Sequence, residues 1–223
     1  MLHPSDEEYQ QSKRLKKSGG SISSPFRELA AWIASSYGVE VLDIHYDIVT
    51  RGKLPSLPRL NVILEWMQDK VKFEIGDRFH FDKTKQDSIR VKFESLLAER
   101  GNRNFQTDQL FVIFSAFEEV ARIEANERVT KDDLERLKQR LANPELWTID
   151  RIFDCVTFFF YTDAQSAASK ERGLAEQYSQ EYARLVASYD EFGYLARVGV
   201  AVYFNSKENF DTNYQSNWHY FYK

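Results

Sequence analysis

Apolar and polar positions repeat with two different periods in the first hundred residues. Between Pro25 and Gly38 the apolar positions have helical spacing, and these two residues stand where a helix begins and ends. Three stretches then alternate with a period of two, as β-strands do: 39–49, 59–66 and 71–75. A second helical pattern follows over residues 86–100. Residues 25–104 are therefore predicted to form an α-β-β-β-α unit.

The first 24 residues lack such a pattern. A basic run, Lys13–Lys17, precedes Ser18-Gly19-Gly20-Ser21, which interrupts any helix. Charge runs of this kind usually lie on solvated segments. Residues 1–24 are predicted to be a flexible polar tail.

The second half mixes the two periods. Residues 107–127 fit either a helix or a buried strand, and a strand that continues beyond Phe117 is slightly favoured. The apolar run 147–162 predicts a central strand, because both of its faces are apolar. A helix starting at Thr130, a long helix over 164–190 and a terminal β-hairpin made of 197–205 and 215–222 complete the prediction. No internal repeat of fixed period is evident.

These elements predict an α+β protein with a second unit over residues 105–223. The order strand, helix, strand, helix, strand, strand resembles a ferredoxin-like α/β sandwich, a resemblance of element order alone that implies no function. The length of 223 residues and the 43% of apolar residues suffice for a core without disulfides or a structural metal.

The charge distribution bears on the kind of partner. Residues 1–142 are electrically balanced, whereas residues 143–223 carry 11 acidic and 7 basic side chains. A nucleic-acid surface needs clustered Lys and Arg, so nucleic acid is not an expected partner. No window of 18 apolar residues and no apolar leader segment occurs, so a cytoplasmic protein without a membrane span is expected.

Cofactor and nucleophile motifs are missing from the sequence. No Gly-x-Gly-x-x-Gly, phosphate-binding Gly-Lys-Ser/Thr or Gly-x-Ser-x-Gly pattern occurs, and no cofactor is predicted. The single cysteine, Cys155, lies in an apolar run and is interpreted as a small buried hydrophobe.

Two patterns remain as candidate sites. Asp43, His45 and Asp47 alternate on one strand, so their side chains share one face about 6.5–7 Å apart. Arg78, His80 and Asp82 form a similar set. If the two strands were neighbours, Asp43, His45, Asp47 and His80 could hold a divalent metal or act in acid–base hydrolysis. Polar residues on the exposed face of an ordinary strand explain the same pattern.

The second pattern is the aromatic density at the C-terminus. Residues 189–222 hold eleven of the 33 aromatic residues. Trp218, Tyr220 and Tyr222 alternate, and together with Tyr203 they are the candidate binding residues, because Tyr and Trp join an apolar body to a hydrogen-bonding tip. Core packing of a terminal hairpin is the competing interpretation. The sequence therefore predicts a non-catalytic binding protein with a protein partner; the alternative is a metal-assisted hydrolase at the Asp43/His45/Asp47 strand.

Overall fold

The structure is a computed structural model that describes residues 2–52 and 54–223. The chain divides into two compact units, Met1–Val120 and Ala121–Lys223, and the division falls within one helix, α5. The elements of the first half are α1 (Glu7–Ser18), α2 (Phe26–Tyr37), β1 (Val41–Arg51), β2 (Leu54–Leu64), α3 (Met67–Val71), β3 (Glu74–Ile75), β4 (Asp77–Phe81), α4 (Lys83–Glu99), β5 (Phe111–Ala116) and α5 (Phe117–Arg128). Those of the second half are α6 (Lys131–Leu141), β6 (Leu146–Ile152), β7 (Cys155–Phe160), α7 (Asp163–Glu171), α8 (Leu174–Val186), α9 (Tyr194–Val198), β8 (Ala201–Ser206), α10 (Lys207–Tyr214) and α11 (Trp218–Phe221).

The first unit is built on the sheet β1-β2-β5. Strand β1 is antiparallel to β2, and β5 is parallel to β2. One face of this sheet packs against α2 and α4 and forms the core. Its buried members include Ile44, Leu60, Val62, Val112 and Phe114 from the strands, with Leu29, Ile33, Ile89 and Phe93 from the helices.

The opposite face of the first sheet is polar, and we call it the polar face. Neighbouring strands place His45 beside Asn61 and Asp47 beside Arg59 on this face. Helix α1 lies against it, because Ser12 of α1 hydrogen-bonds to β1 and Glu8 of α1 bonds to β2.

The second unit is built on the sheet β6-β7-β8. Strands β6 and β7 are antiparallel, and β8 is parallel to β7. Helices α6 and α8 cover one face through Leu137, Tyr178 and Tyr182, which pack on Phe158 and Phe204. The opposite face meets the C-terminal helices, since Phe159 contacts both Phe210 of α10 and Trp218 of α11.

The two sheets have the same order, directions and irregularity. In the first, Val41 pairs with Leu64 and a bulge follows; in the second, Leu146 pairs with Phe160 and a bulge follows at the same place. Each unit therefore repeats one plan: helix, antiparallel strand pair, helices, and a strand parallel to the second strand of the pair.

Backbone hydrogen bonds at the strand ends repeat as well. In the first unit the Glu65 N–H donates to the Glu40 carbonyl, and the Glu118 N–H donates to the Glu65 carbonyl. Their counterparts in the second unit are Tyr161 N–H to Glu145, and Glu208 N–H to Tyr161. Matching bonds at matching places indicate an internal structural duplication. It shows no fixed sequence period because different insertions separate the strands, with β3 and β4 lying between β2 and β5.

A carboxylate is also placed equivalently in the two units. Glu118 accepts a hydrogen bond from the N–H of Met67, the first residue of α3, at 3.1 Å. Glu208 accepts one from the N–H of Asp163, the first residue of α7, at 3.0 Å. Each glutamate thus binds an N–H of a helix start, where a negative charge is favourable.

The first 24 residues are not a flexible tail, which corrects the prediction from their composition. Residues 7–18 form helix α1, whose Tyr9 and Ser12 are fully buried. The basic run lies on this helix, and Gly19 ends it in the left-handed conformation with φ 61°. Local polarity concealed the helix because the surface that it contacts is itself polar.

Residues 107–127 are strand and then helix. Strand β5 ends at Ala116, and α5 starts at Phe117 instead of the strand continuing. Strand β5 pairs with β2 and so belongs to the first unit. The second unit therefore starts with a helix, and its three-stranded sheet differs from the ferredoxin-like order that was expected.

The elements after residue 145 also differ from the prediction, since the single strand expected over 147–162 is the antiparallel pair β6 and β7. The long helix is divided into α7 and α8 at Gly173, which has φ 71°. The terminal hairpin does not form, because 218–221 is helical and only β8 is a strand. Trp218, Phe221 and Tyr222 have helical i, i+3, i+4 spacing, and in a run this aromatic the helical period is hard to separate from strand alternation.

Candidate functional site

The four aromatic residues predicted to bind a partner lie in the second unit in different settings. Trp218 stacks on Trp147 with ring centroids 6.3 Å apart and lies 4.3 Å from the Phe210 ring, yet 38% of it remains exposed. Tyr220 is 49% exposed and contacts only one ring, His219, in the described part of the chain. Trp218 is therefore partly a packing residue, whereas Tyr220 is mainly a surface residue.

Tyr222 and Tyr203 are linked by the sheet. The Tyr222 hydroxyl donates to Asp150 Oδ2 at 2.7 Å. The pKa of Tyr222 is raised mainly by burial and, to a smaller extent, by this bond. Asp150 pairs with Thr157, which pairs with Tyr203, so all three side chains emerge on one face. Tyr203 is 57% exposed. Tyr203 and the C-terminal helix thus occupy the same face of the second sheet.

Below the exposed rings lies a packed aromatic layer. Phe159 of β7 is fully buried and contacts four rings, those of Trp147, Phe210, Trp218 and Phe221. Much of the C-terminal aromatic density is therefore core, and the surface part is smaller than the sequence suggested.

The strand predicted to carry a metal site does place its polar residues together. His45 Nε2 lies 3.0 Å from Asp43 Oδ2, and both groups lie 2.9 Å from the Ser12 hydroxyl. Two side chains of β1 therefore meet one from α1. Ser12 was missed by sequence reasoning because its segment was interpreted as a tail. The available signal was the acidic pair Glu7-Glu8 followed by Lys16-Lys17 and Gly19, the charge pattern and C-cap of a helix.

Asp47 takes part in a second network on the polar face. Arg59 Nε and Nη2 bind the two Asp47 oxygens at 2.8 and 2.7 Å, and Nη2 also donates to Glu8 of α1. Asn61 donates to the other Glu8 oxygen and accepts from the Ser115 hydroxyl at 3.0 Å. One carboxylate of α1 is thereby tied to both residues of β2. Glu8, Arg59, Asn61 and Ser115 were not candidates from the sequence.

A cavity of about 760 Å³ opens on the polar face, and we call it the first-unit cavity. Strand β1, strand β2, β5, α1 and α3 all contribute to its walls. Its polar lining comprises Asp6, Glu7, Glu8, Gln11, His45, Asp47, Arg59, Asn61, Lys70, Ser115 and Glu119, and Leu2, Tyr46, Phe81, Ile113 and Phe114 supply the apolar part.

His80 does not join this arrangement. It lies exposed on β4 and is not part of the cavity lining, and the side chain of Arg78 lies outside the described residues. Within residues 2–52 and 54–223, no three His, Cys, Asp or Glu side chains are grouped so as to hold a metal ion. Of the four predicted residues, Asp43 and His45 are therefore in contact, and His45 and Asp47 line one cavity. The described residues do not bring His80 to them.

The comparisons with known proteins add no relative. No protein-family model matches the chain, and neither the curated proteins nor the solved structures contain a match. None of the helices in the described residues has the length and apolar character to cross a membrane.

Proposed function

We propose that the protein is a non-catalytic binding protein whose second unit docks a partner protein through exposed aromatic rings. The observation that carries the proposal is the exposure of Tyr203, Trp218 and Tyr220 in the second unit, with Trp218 packed on Phe159. Large rings that keep a hydrogen-bonding tip are frequent at the centres of protein interfaces.

Charge narrows the class of partner. Residues 143–223 hold 11 acidic and 7 basic side chains, so a partner with a basic surface is favoured over a polyanion. A protein surface combining Lys or Arg with apolar side chains fits both the rings and the negative charge, because cations also bind aromatic faces.

The test uses Tyr220→Ala and Tyr203→Ala in the full chain, with Tyr161→Ala as the matched control. Tyr161 is 46% exposed in the same unit, so each of the three variants removes one exposed tyrosine ring. Crosslinking and mass spectrometry identify a captured protein, and calorimetry with that purified protein gives its affinity. We expect a loss of about tenfold or more for Tyr220→Ala, as for a hot-spot residue, and little change for Tyr161→Ala.

Equal affinities across the three variants would contradict the proposal. Capture of a nucleic acid in place of a protein would contradict it too, because stacking on a strand of bases is a different use of the same rings. Circular dichroism of each variant separates lost binding from lost folding.

The alternative, a metal-assisted hydrolase on the Asp43/His45/Asp47 strand, has one supporting observation. His45 lines the cavity while Asp43 and Ser12 hold its Nε2, as a positioned acid–base histidine requires. Its test is Zn²⁺ or Mn²⁺ binding by calorimetry, which His45→Ala should abolish. Equal metal binding by the two proteins would contradict this alternative.

A further inference from the structure

Polar side chains make up most of the lining of the first-unit cavity. Arg59 and Asn61 both donate to Glu8 and so hold α1 on the sheet. The equivalent face of the second sheet is filled by aromatic rings around Phe159 and by Tyr222. The same plan therefore has a filled aromatic face in one unit and an open polar cavity in the other. Cavities of several hundred Å³ with a few convergent polar groups are the usual sites of small ligands.

Carboxylates outnumber cations in the lining of the cavity. Its lining includes five carboxylates, those of Asp6, Glu7, Glu8, Asp47 and Glu119, against two permanent cations, Arg59 and Lys70. This excess of negative charge favours a ligand that brings a cation, and each carboxylate oxygen can accept further hydrogen bonds.

His45 adds an acceptor of defined orientation. Its Nε2 is the ring nitrogen that meets Ser12 and Asp43, and a carboxylate partner favours the tautomer with the proton on that nitrogen. In the neutral ring Nδ1 is then left as an acceptor, and His45 lines the cavity. An ammonium or amine N–H is its natural partner.

Lys70 differs from these acceptors because its buried ammonium is a donor that needs an acceptor. Its side chain is nine-tenths buried and lines the cavity, yet its ammonium has only two long contacts, 3.3 Å to Glu74 Oε1 and 3.5 Å to Glu119 Oε2. Charge-assisted N–H···O bonds are normally 2.7–2.9 Å long, so two ion pairs leave this buried donor group without a short hydrogen bond among the described residues. Buried donors in this state need an acceptor oxygen.

We infer that the first-unit cavity binds a small zwitterion, an amino acid or a short peptide, which places its carboxylate at Lys70 and its ammonium among the carboxylates and His45. A ligand with only a positive charge would pair with the carboxylates and His45 but not with Lys70, and a ligand with only a negative charge would do the reverse. Leu2 and Ile113 in the lining, the latter beside Asn61 on the polar face, can contact an apolar side chain. This inference concerns the first unit and does not depend on the partner surface of the second.

The test compares a zwitterion with its two halves on the full chain by calorimetry. The probes are L-phenylalanine, 2-phenylethylamine, which lacks the carboxylate, and 3-phenylpropionate, which lacks the ammonium. We expect L-phenylalanine to bind roughly tenfold or more tighter than either half, since each half loses a charge-assisted contact. The dipeptide L-alanyl-L-phenylalanine distinguishes a free amino acid from a peptide as the source of the same chemistry.

Variants assign the two ends. Lys70→Gln should lower the affinity for L-phenylalanine to that for 2-phenylethylamine without weakening the binding of the amine, whereas Glu119→Gln should weaken amine binding. Glu99→Gln removes a carboxylate exposed on α4 outside the cavity lining and should change neither affinity. Absence of binding by all four probes, or equal binding of L-phenylalanine and its halves, would overturn the inference even if Lys70→Gln fails to fold.

Discussion

Ser12 illustrates how much one small side chain on the polar face can connect. Its hydroxyl lies 2.9 Å from the Glu8 carbonyl, from Asp43 Oδ2 and from His45 Nε2, and the residue is fully buried. A hydroxyl has one proton to donate, which the Glu8 carbonyl and the Asp43 carboxylate share as acceptors, while the Nε2–H of His45 can donate to one of its lone pairs. Removing it takes one partner from the buried Asp43 carboxylate and one from His45, which keep each other at 3.0 Å.

The substitution Ser12→Ala is therefore expected to lower the free energy of unfolding by about 1–3 kcal/mol, the usual contribution of a hydrogen bond to a charged group. Urea denaturation followed by circular dichroism measures this change. Ser95→Ala is the control, because Ser95 is exposed and bonds to Glu99 on the surface of α4; its change should stay within about 0.5 kcal/mol. Equal effects of the two substitutions would show that the buried network contributes nothing.

Asp133 gives the prediction for pH. The hydroxyl and the backbone N–H of Thr130 donate to this carboxylate, as do the Tyr189 hydroxyl and Arg136. These bonds, those of Thr130 first, hold the pKa of Asp133 well below its usual range. A folded-state pKa below the unfolded one stabilises the protein above the unfolded pKa, about 3.9, and that stabilisation is lost as the pH falls towards the folded pKa.

Asp133→Asn should accordingly be less stable than the wild type at pH 7, and the difference should shrink as the pH is lowered below about 4. Urea denaturation from pH 7 to pH 2.5 measures the two unfolding free energies. A difference that stays constant over this range would mean that the Asp133 charge does not stabilise the fold.

At the scale of elements, α1 is the element that the sequence interpretation lost. Its Tyr9 is fully buried with its ring 5.1 Å from that of Phe117, while Lys16 bonds to Glu65 at 2.8 Å. A short polar helix is marginal by itself in water, so these tertiary contacts and those of Glu8 and Ser12 determine that α1 forms.

Tyr9→Ala should thus lower the free energy of unfolding by about 3 kcal/mol or more, as large-to-small changes of buried aromatic residues do. Arg14→Ala, on the exposed side of the same helix, should change it by less than about 0.5 kcal/mol. Chemical denaturation measures both. A negligible effect of Tyr9→Ala is the result expected of a flexible tail, and would contradict the docked helix.

Strand β1 shows which predictions succeed at this scale. Its alternation of Asp43, His45 and Asp47 with apolar residues is realised, with Ile44 in the core and His45 on the polar face. Strand alternation is a local property because successive side chains point to opposite faces whatever the rest of the chain does. The prediction of a strand for the aromatic run 218–222 was wrong for the converse reason. This run fits both periods locally, and contacts of Trp218 with Phe159 and Trp147 select the helix.

At the scale of the whole molecule, the duplication suggests that equivalent residues serve equivalent ends. Glu118 and Glu208 occupy the same place in the two units and accept from the first N–H of α3 and of α7. Each bond lies within its own unit. Losing a hydrogen bond to an N–H at the start of a helix typically costs about 1 kcal/mol and loosens the first turn of that helix.

Glu208→Ala is therefore expected to speed amide hydrogen exchange at the start of α7 and to leave α3 unchanged, and Glu118→Ala should do the reverse. Hydrogen-exchange mass spectrometry of the full chain measures both. Faster exchange in the other unit's helix would contradict the local role of these glutamates.

The sequence alone determined the α+β class, the strands β1 and β2, and the helices α2, α4 and α6, because their hydrophobic periodicity and caps are local. Tertiary structure decided the rest. It brought Ser12 and Glu8 to a sheet some thirty or more residues away, joined β5 to β2, and turned the C-terminal aromatic run into helices over Phe159. The physical reason is that contacts between distant residues outweigh weak local preferences wherever a segment is short, polar or uniformly aromatic.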